Sequence, residues 1–198
     1  MMKEWMLSAD EWMLPGWETA ELLAVPVLWL VYRRDLSRGI RPPDRSWTAG
    51  LKVYAAAIGG FLLYYALVTL FLNACGLAEA DAAYREAAGR EMLHPARFFF
   101  RTVFTAPLFE ELLFRGVLQR RLEKHAGNVF AVVLSAVLFG LYHGTPVQGL
   151  AAFLAGLFLG YVYFRTNALL VSILMHAASN AAGFAAALSI LYSGGGIK

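Results

Sequence analysis

The sequence predicts an all-α, polytopic transmembrane helical bundle of about six spans, and three observations lead there. Apolar residues make up 59% of the 198 positions against 16% charged, far on the apolar side of globular usage. The mean hydropathy is +0.55. The apolar residues also fall in runs of about 20, the length a helix needs to cross a ~30 Å hydrocarbon core, separated by short polar or basic turns. Once those turns are subtracted, no second soluble domain fits.

The charge pattern narrows the function classes. The formal net charge is only +3 and the basic residues cluster between apolar runs, so they read as topology signals and not as a nucleic-acid stripe. Cys75 is the single cysteine, which excludes an internal disulfide and a thiolate metal cluster. Lys3 is followed by Glu4, Asp10 and Glu11 before any long apolar run, unlike the start of a cleavable signal peptide, so the first span is expected to stay.

Taken in order, Met1 to Pro15 mixes Trp5 and Trp12 with acids and suits an interfacial segment. The first span is expected near Gly16 to Tyr32, with Glu18 and Glu21 toward its start and Pro26 inside it. Residues 33–52 are strongly basic and contain Pro42-Pro43, which forbids a continuous helix. The positive-inside rule places this loop in the cytoplasm. A second span follows near Val53 to Cys75, then a polar stretch of balanced charge, Ala78 to Ala96, expected as a surface helix on the other side. The third span runs from about Arg97 to Leu122, and Pro107 should bend it one turn before Glu111. Arg120, Arg121 and Lys124 at its far end are again basic and cytoplasmic by alternation. The remaining spans are Asn128 to His143, Val147 to Phe164 and Asn167 to Tyr192, with Arg165 in a third cytoplasmic turn and residues 193–198 a flexible tail. Small residues crowd the last two spans, Gly149, Gly156, Gly160, Ala177, Ala181 and Gly183 among them, which lets helices approach closely in lipid.

Against this background Phe109-Glu-Glu-Leu-Leu-Phe-Arg-Gly116 stands out. Each ionisable group at membrane depth costs roughly 2.5–3.5 kcal/mol on insertion scales, so three together point to a functional site. At ~100° per residue, Glu111 and Arg115 share a face and can pair, whereas Glu110 lies well around the helix and is left free to act as a general base. A packing network among arginines is the structural alternative. Phe139-x-x-x-His143 ends one apolar helix, and His176-x-x-x-Asn180 places an imidazole and a carboxamide on one face of another. Taken alone, the first reads as an interfacial histidine and the second equally well as helix-to-helix glue. Depth joins them: at 1.5 Å rise per residue, Glu110, His143 and His176 lie roughly 18, 22 and 15 Å from basic turns on one side of the membrane. Three helices would then form a small polar chamber. It holds what hydrolysis of a carboxyl derivative needs: Glu110 with His143 to take a proton from water, and His176 with Asn180 to stabilise the oxyanion.

The three motifs, in this order on successive helices, resemble the CPBP intramembrane endopeptidases, the group of CaaX prenyl proteases and Abi or bacteriocin-processing relatives. The resemblance covers about Phe98 to Tyr192 and implies a membrane peptidase in which Glu110 and His143 activate water, His176 and Asn180 surround the oxyanion, and Glu111, Arg115 and Phe139 support substrate or helix geometry. It divides the chain into an N-terminal membrane segment, 1–97, a catalytic four-helix core, 98–192, and the tail, 193–198.

Two histidines and a carboxylate, here Glu110, His143 and His176, could ligate Zn2+. No His-Glu-x-x-His pattern is present, and the favoured expectation is that no cofactor is required. The expected partners are membrane lipids and a membrane-associated protein or peptide substrate, such as a C-terminal tail, and no nucleic acid. A short chain with few lysines suggests a bacterial plasma membrane. The depth estimates put the chamber nearer the face opposite the basic turns, so either a wet cavity reaches it from the cytoplasm or substrates arrive from outside. Two other readings stand beside the peptidase: a transporter or proton-relay protein, which would predict symmetry between halves that the sequence lacks, and a non-catalytic immunity or scaffold member of the same fold.

Overall fold

The computed structural model describes residues 16–39, 47–77, 86 and 89–192. The expected interfacial segment 1–15, the Pro42-Pro43 turn, most of the 78–96 stretch and the 193–198 tail lie outside the described residues. Among those described, every regular element is helical. They form α1 (Gly16–Gly39), α2 (Trp47–Ala74), a composite helix α3 (95–126), α4 (Asn128–Tyr142), α5 (Pro146–Thr166) and α6 (Leu169–Tyr192).

The chain is an all-α membrane helical bundle. Tyr54–Ala74, Pro146–Thr166 and Leu169–Ser189 are long and apolar enough to cross a membrane, while Asn128–Tyr142 is apolar but only 15 residues long. The helices stand where the spans were expected, with shifted ends. Helix α1 continues through residues 33–39 and α2 already begins at Trp47, so most of the basic 33–52 loop is helix ends. Arginine and leucine are good helix formers, and only Pro42-Pro43 forbids continuation.

Helix α3 is interrupted twice. It begins at Pro95, whose fixed φ and missing N–H suit a first helical turn. It then passes through a π-helical turn, Arg101–Thr105, an α-helical stretch, Ala106–Glu111, and a second π-helical stretch, Leu112–Gln119. Such wide turns recur at functional sites. Gly127 at φ 85° makes the turn into α4, a conformation other residues rarely adopt. Between α4 and α5, Thr145 caps the new helix by accepting a hydrogen bond from the Gln148 amide, with Pro146 next to it. Asn167, left-handed at φ 49°, closes α5.

One core joins α2, α5 and α6 through Phe61, Leu159, Val171 and Met175. A second packs Leu112 of α3, Tyr163 and Leu169 against Val25 and Leu28 of α1. A third places Phe114 of α3 against Phe139 of α4 and Ala152 of α5. Leu30 and Leu70 are about two-thirds exposed (64% each), as a lipid-facing surface requires. The close approach expected of the small residues is concentrated between α4 and α5. A Cβ on Gly140 would lie 2.7 Å from the Gly149 carbonyl oxygen, and one on Gly156 would lie 3.1 Å from the Ala136 backbone. Gly183 of α6, by contrast, meets only the Tyr65 hydroxyl, at 3.4 Å.

Because backbone and not a flexible side chain faces Gly140, Gly140→Ala is expected to cost about 1–3 kcal/mol by overpacking. Gly59→Ala, with nothing within 4 Å, should be neutral or slightly stabilising. Thermal unfolding of the two variants in the same detergent checks the contrast.

Candidate active site

Glu110 and Glu111 end the α-helical stretch of α3 and both are buried. Glu111 faces Arg115, Oε2 to Nε at 3.2 Å, with both side chains wholly buried. The contact is an ion pair without straight hydrogen-bond geometry. Arg115 also donates from Nη2 to the Gly156 carbonyl at 3.2 Å and lies with Cζ 4.5 Å above the Phe139 ring. A guanidinium with a carboxylate, a carbonyl and a ring face around it is the arrangement a buried charge needs.

The other Glu111 oxygen, Oε1, is 3.0 Å from Nδ1 of His176 on α6. A carboxylate only accepts, so Nδ1 carries the hydrogen and the ring is oriented with Nε2 turned to Glu110, 3.8 Å from its Oε2. Glu110 Oε2 is buried and has no hydrogen-bond partner among the described residues. Arg115, Glu111, His176 and Glu110 therefore form one chain of neighbours across α3 and α6.

His143 is placed differently. It caps the C-terminus of α4 in extended conformation (φ −84°, ψ 141°), half-buried, with Nδ1 2.8 Å from the Phe139 carbonyl. A carbonyl also only accepts, so this nitrogen holds the hydrogen and Nε2 keeps its lone pair. Phe139 is the link between the imidazoles, its ring 4.9 Å from that of His143 and 5.8 Å from that of His176, both edge to face. No hydrogen bond or ion pair joins His143 to Glu110 among the described residues. A cleft of about 490 Å3 between α4 and α5 is lined by His143 but not by Glu110, His176 or Asn180. The reason is position, since Glu110 sits mid-helix under α1 whereas His143 lies at a helix end.

Asn180 shares a helix with His176 but reaches a different part of α3. Its amide donates from Nδ2 to the Thr102 carbonyl at 2.8 Å. That carbonyl lacks a helical partner for a reason in the sequence. The Ala106 N–H is committed to Arg101 by the π turn, and residue 107, the next possible donor, is proline. The irregularity expected from Pro107 is thus a π turn whose orphaned acceptor is met by Asn180. Among the described residues, Thr102 is the one hydrogen-bond partner of the Asn180 amide nitrogen.

Among the described residues, no three His, Cys, Asp or Glu side chains are gathered as a metal-holding set. Glu110, His143 and His176, the set weighed for Zn2+, are not gathered in this way.

Several polar residues around the site were not singled out from the sequence. Glu21 of α1 is buried and accepts a 2.8 Å hydrogen bond from the Tyr142 hydroxyl. Gln119 donates to the Gly160 carbonyl at 2.9 Å, and Ser135 donates to the Phe114 carbonyl at 3.0 Å. A mid-membrane glutamine was the available signal for Gln119. Tyr142 carried none, lying inside an apolar run.

The fold and this interior define an integral membrane protein with a buried acid, imidazole and amide centre. Residues 92–182 match the family described as Type II CAAX prenyl endopeptidase Rce1-like, which supports the resemblance to the CPBP/CaaX proteases over that segment. The matched segment contains all three motifs and excludes α1 and α2. In general terms the match supports a CAAX-type intramembrane endopeptidase. No curated protein and no solved structure matches it.

Proposed function

We propose that the chain hydrolyses a peptide bond in a membrane-associated protein or peptide, with 98–192 as the catalytic unit and Glu110 as the group that activates water. The observation carrying this reading is the Glu110 Oε2 atom, buried, without a hydrogen-bond partner, and 3.8 Å from an imidazole nitrogen. A buried carboxylate oxygen without a partner is costly unless it has work to do.

Water bound at that oxygen attacks the carbonyl carbon, and its proton passes to the Glu110 carboxylate, with the Nε2 lone pair of His143 as the second acceptor on the α4 side. The carbonyl oxygen becomes an oxyanion, with the Nε2 side of His176 and the second amide hydrogen of Asn180 turned to it as its stabilising groups. Collapse re-forms the carbonyl, breaks the C–N bond and hands the proton to the departing amine. Glu111 and Arg115 hold His176, and Phe139 spaces the two imidazoles. The reaction needs no cofactor in this reading.

The family points to prenylated C-terminal tails as the substrate class to try first. The test compares peptide termini in cells carrying the native chain and Glu110→Gln, together with cleavage of a farnesylated CaaX peptide by the purified protein in liposomes. A terminus that disappears with Glu110→Gln supports the reading, and an unchanged set of termini with equal peptide cleavage removes it.

We also propose a bacterial plasma-membrane location with 33–52, 120–124 and Arg165 on the cytoplasmic side, on the strength of their basic charge. Single cysteines replacing Gly144 and Arg165 in a Cys75→Ala background test this. A membrane-impermeant maleimide should label intact cells at position 144 and not at 165, and the reverse pattern would invert the topology.

A further inference from the structure

The acid on α1 lies outside everything the family match covers, yet it reaches the same interior. On α1, Leu22 is 46% and Leu23 64% exposed, while the adjacent Glu21 is 6% exposed. Glu21 Oε1 accepts the Tyr142 hydroxyl hydrogen at 2.8 Å, and its Oε2 is buried without a hydrogen-bond partner. Both Glu21 and Tyr142 lie within electrostatic reach of Glu110. Tyr142 is the last residue of α4, directly before His143, and its ring stands edge to face against the His143 ring at 6.0 Å and the Phe114 ring at 5.7 Å.

We propose that Glu21 is a positioning residue for the hydrolysis, fixing the end of α4 through the Tyr142 hydroxyl and so holding His143 in place beside the Glu110 centre. The inference rests on the reading of Glu110 and His143 given above. Its physical basis is that His143 has left the helix. Its backbone is extended, its nearest flanking residue is Gly144, and a single side-chain hydrogen bond to Phe139 orients the ring. A helix end of this kind frays unless something ties it down. Tyr142 to Glu21 is the tie, and it runs to a different helix. A purely structural tie is better made without a buried carboxylate, because that group carries a desolvation cost that one hydrogen bond does not offset. The acid also gives α1, which the family match omits, a defined part in the site.

The test is steady-state cleavage of the farnesylated CaaX peptide by full-length protein in liposomes, alongside Tm for each variant. Tyr142→Phe keeps the ring and removes only the hydroxyl, and it should lower kcat about tenfold, the scale of one hydrogen bond to a charged acceptor. KM should stay within about twofold, as expected when orientation and not substrate binding is lost. Glu21→Ala should do the same, and the double variant should be no slower than either single one, since both remove one interaction. Glu21→Gln retains an acceptor oxygen and should keep at least about half the rate. Should Glu21→Ala fail to fold, Tyr142→Phe decides. Additive losses, a rise in KM alone, or Tyr142→Phe at the native rate overturns the inference while Glu110→Gln remains inactive. Native cleavage by Glu110→Gln overturns the site reading and this inference with it.

Discussion

Replacing Glu110 by glutamine is expected to lower kcat for peptide cleavage by about 10²–10⁴, the usual contribution of a positioned general base. The amide has nearly the same shape, and Glu110 Oε2 makes no hydrogen bond that its replacement would lose. Folding should therefore be unaffected or slightly improved, since a buried carboxylate is removed. KM should change little, because the group acts on water in the transition state and not on the bound peptide. The neighbouring acid supplies the contrast. Glu111→Gln weakens the ion pair with Arg115 and the hold on His176 together, so Tm and rate should fall in parallel. A Glu110→Gln protein that cleaves within a fewfold of the native rate would remove Glu110 from the chemistry, and the adjacent pair would then be a packing device.

The parts of this site that were legible in the sequence are those fixed by geometry within one helix. Glu111 and Arg115 are four residues apart and pair at 3.2 Å, even though the turn between them is π-helical. Across helices, rise per residue put Glu110, His143 and His176 at similar levels; Glu110 and His176 are 3.8 Å apart, whereas no hydrogen bond or ion pair joins His143 to Glu110 among the described residues. What could not be read was which helix faces which. Glu21 looked like a charge at the mouth of a span, and only the packing of α1 on α3, α5 and α6 turns it inward to Tyr142. Gln119 finds the Gly160 carbonyl for the same reason.

The first π turn was illegible because it is a compromise. Pro107 removes one backbone donor, and the helix absorbs the loss in a wider turn instead of a break. Asn180 completes that compromise from 78 positions away in sequence. The limits of α1 and α2 escaped for a simpler reason: apolarity marks where a helix leaves lipid, not where it unwinds. Arg33 to Gly39 stay helical beyond the point where hydropathy falls.

Arg115→Ala is expected to cost about 3–5 kcal/mol of stability, because it leaves Glu111 as an unpaired charge in a site with no exposure. In a chain of this size such a loss corresponds to a drop in Tm on the order of 10 °C. Arg115→Lys should recover only part of it. An ammonium cannot at once meet the Glu111 carboxylate, donate to the Gly156 carbonyl and lie flat on Phe139, three contacts that the planar guanidinium makes together. The informative variant is the double replacement Glu111→Leu with Arg115→Met, which removes both charges and keeps most of the volume. Buried ion pairs exchanged for apolar groups of similar size are commonly neutral or stabilising. Tm should therefore return to near the native value. Cleavage should not return with it, since His176 Nδ1 has lost the carboxylate that orients its ring. Recovery of Tm without recovery of rate would show that the pair is kept to aim His176. Recovery of both would reduce it to a packing element and leave Glu110 to work without an oriented imidazole.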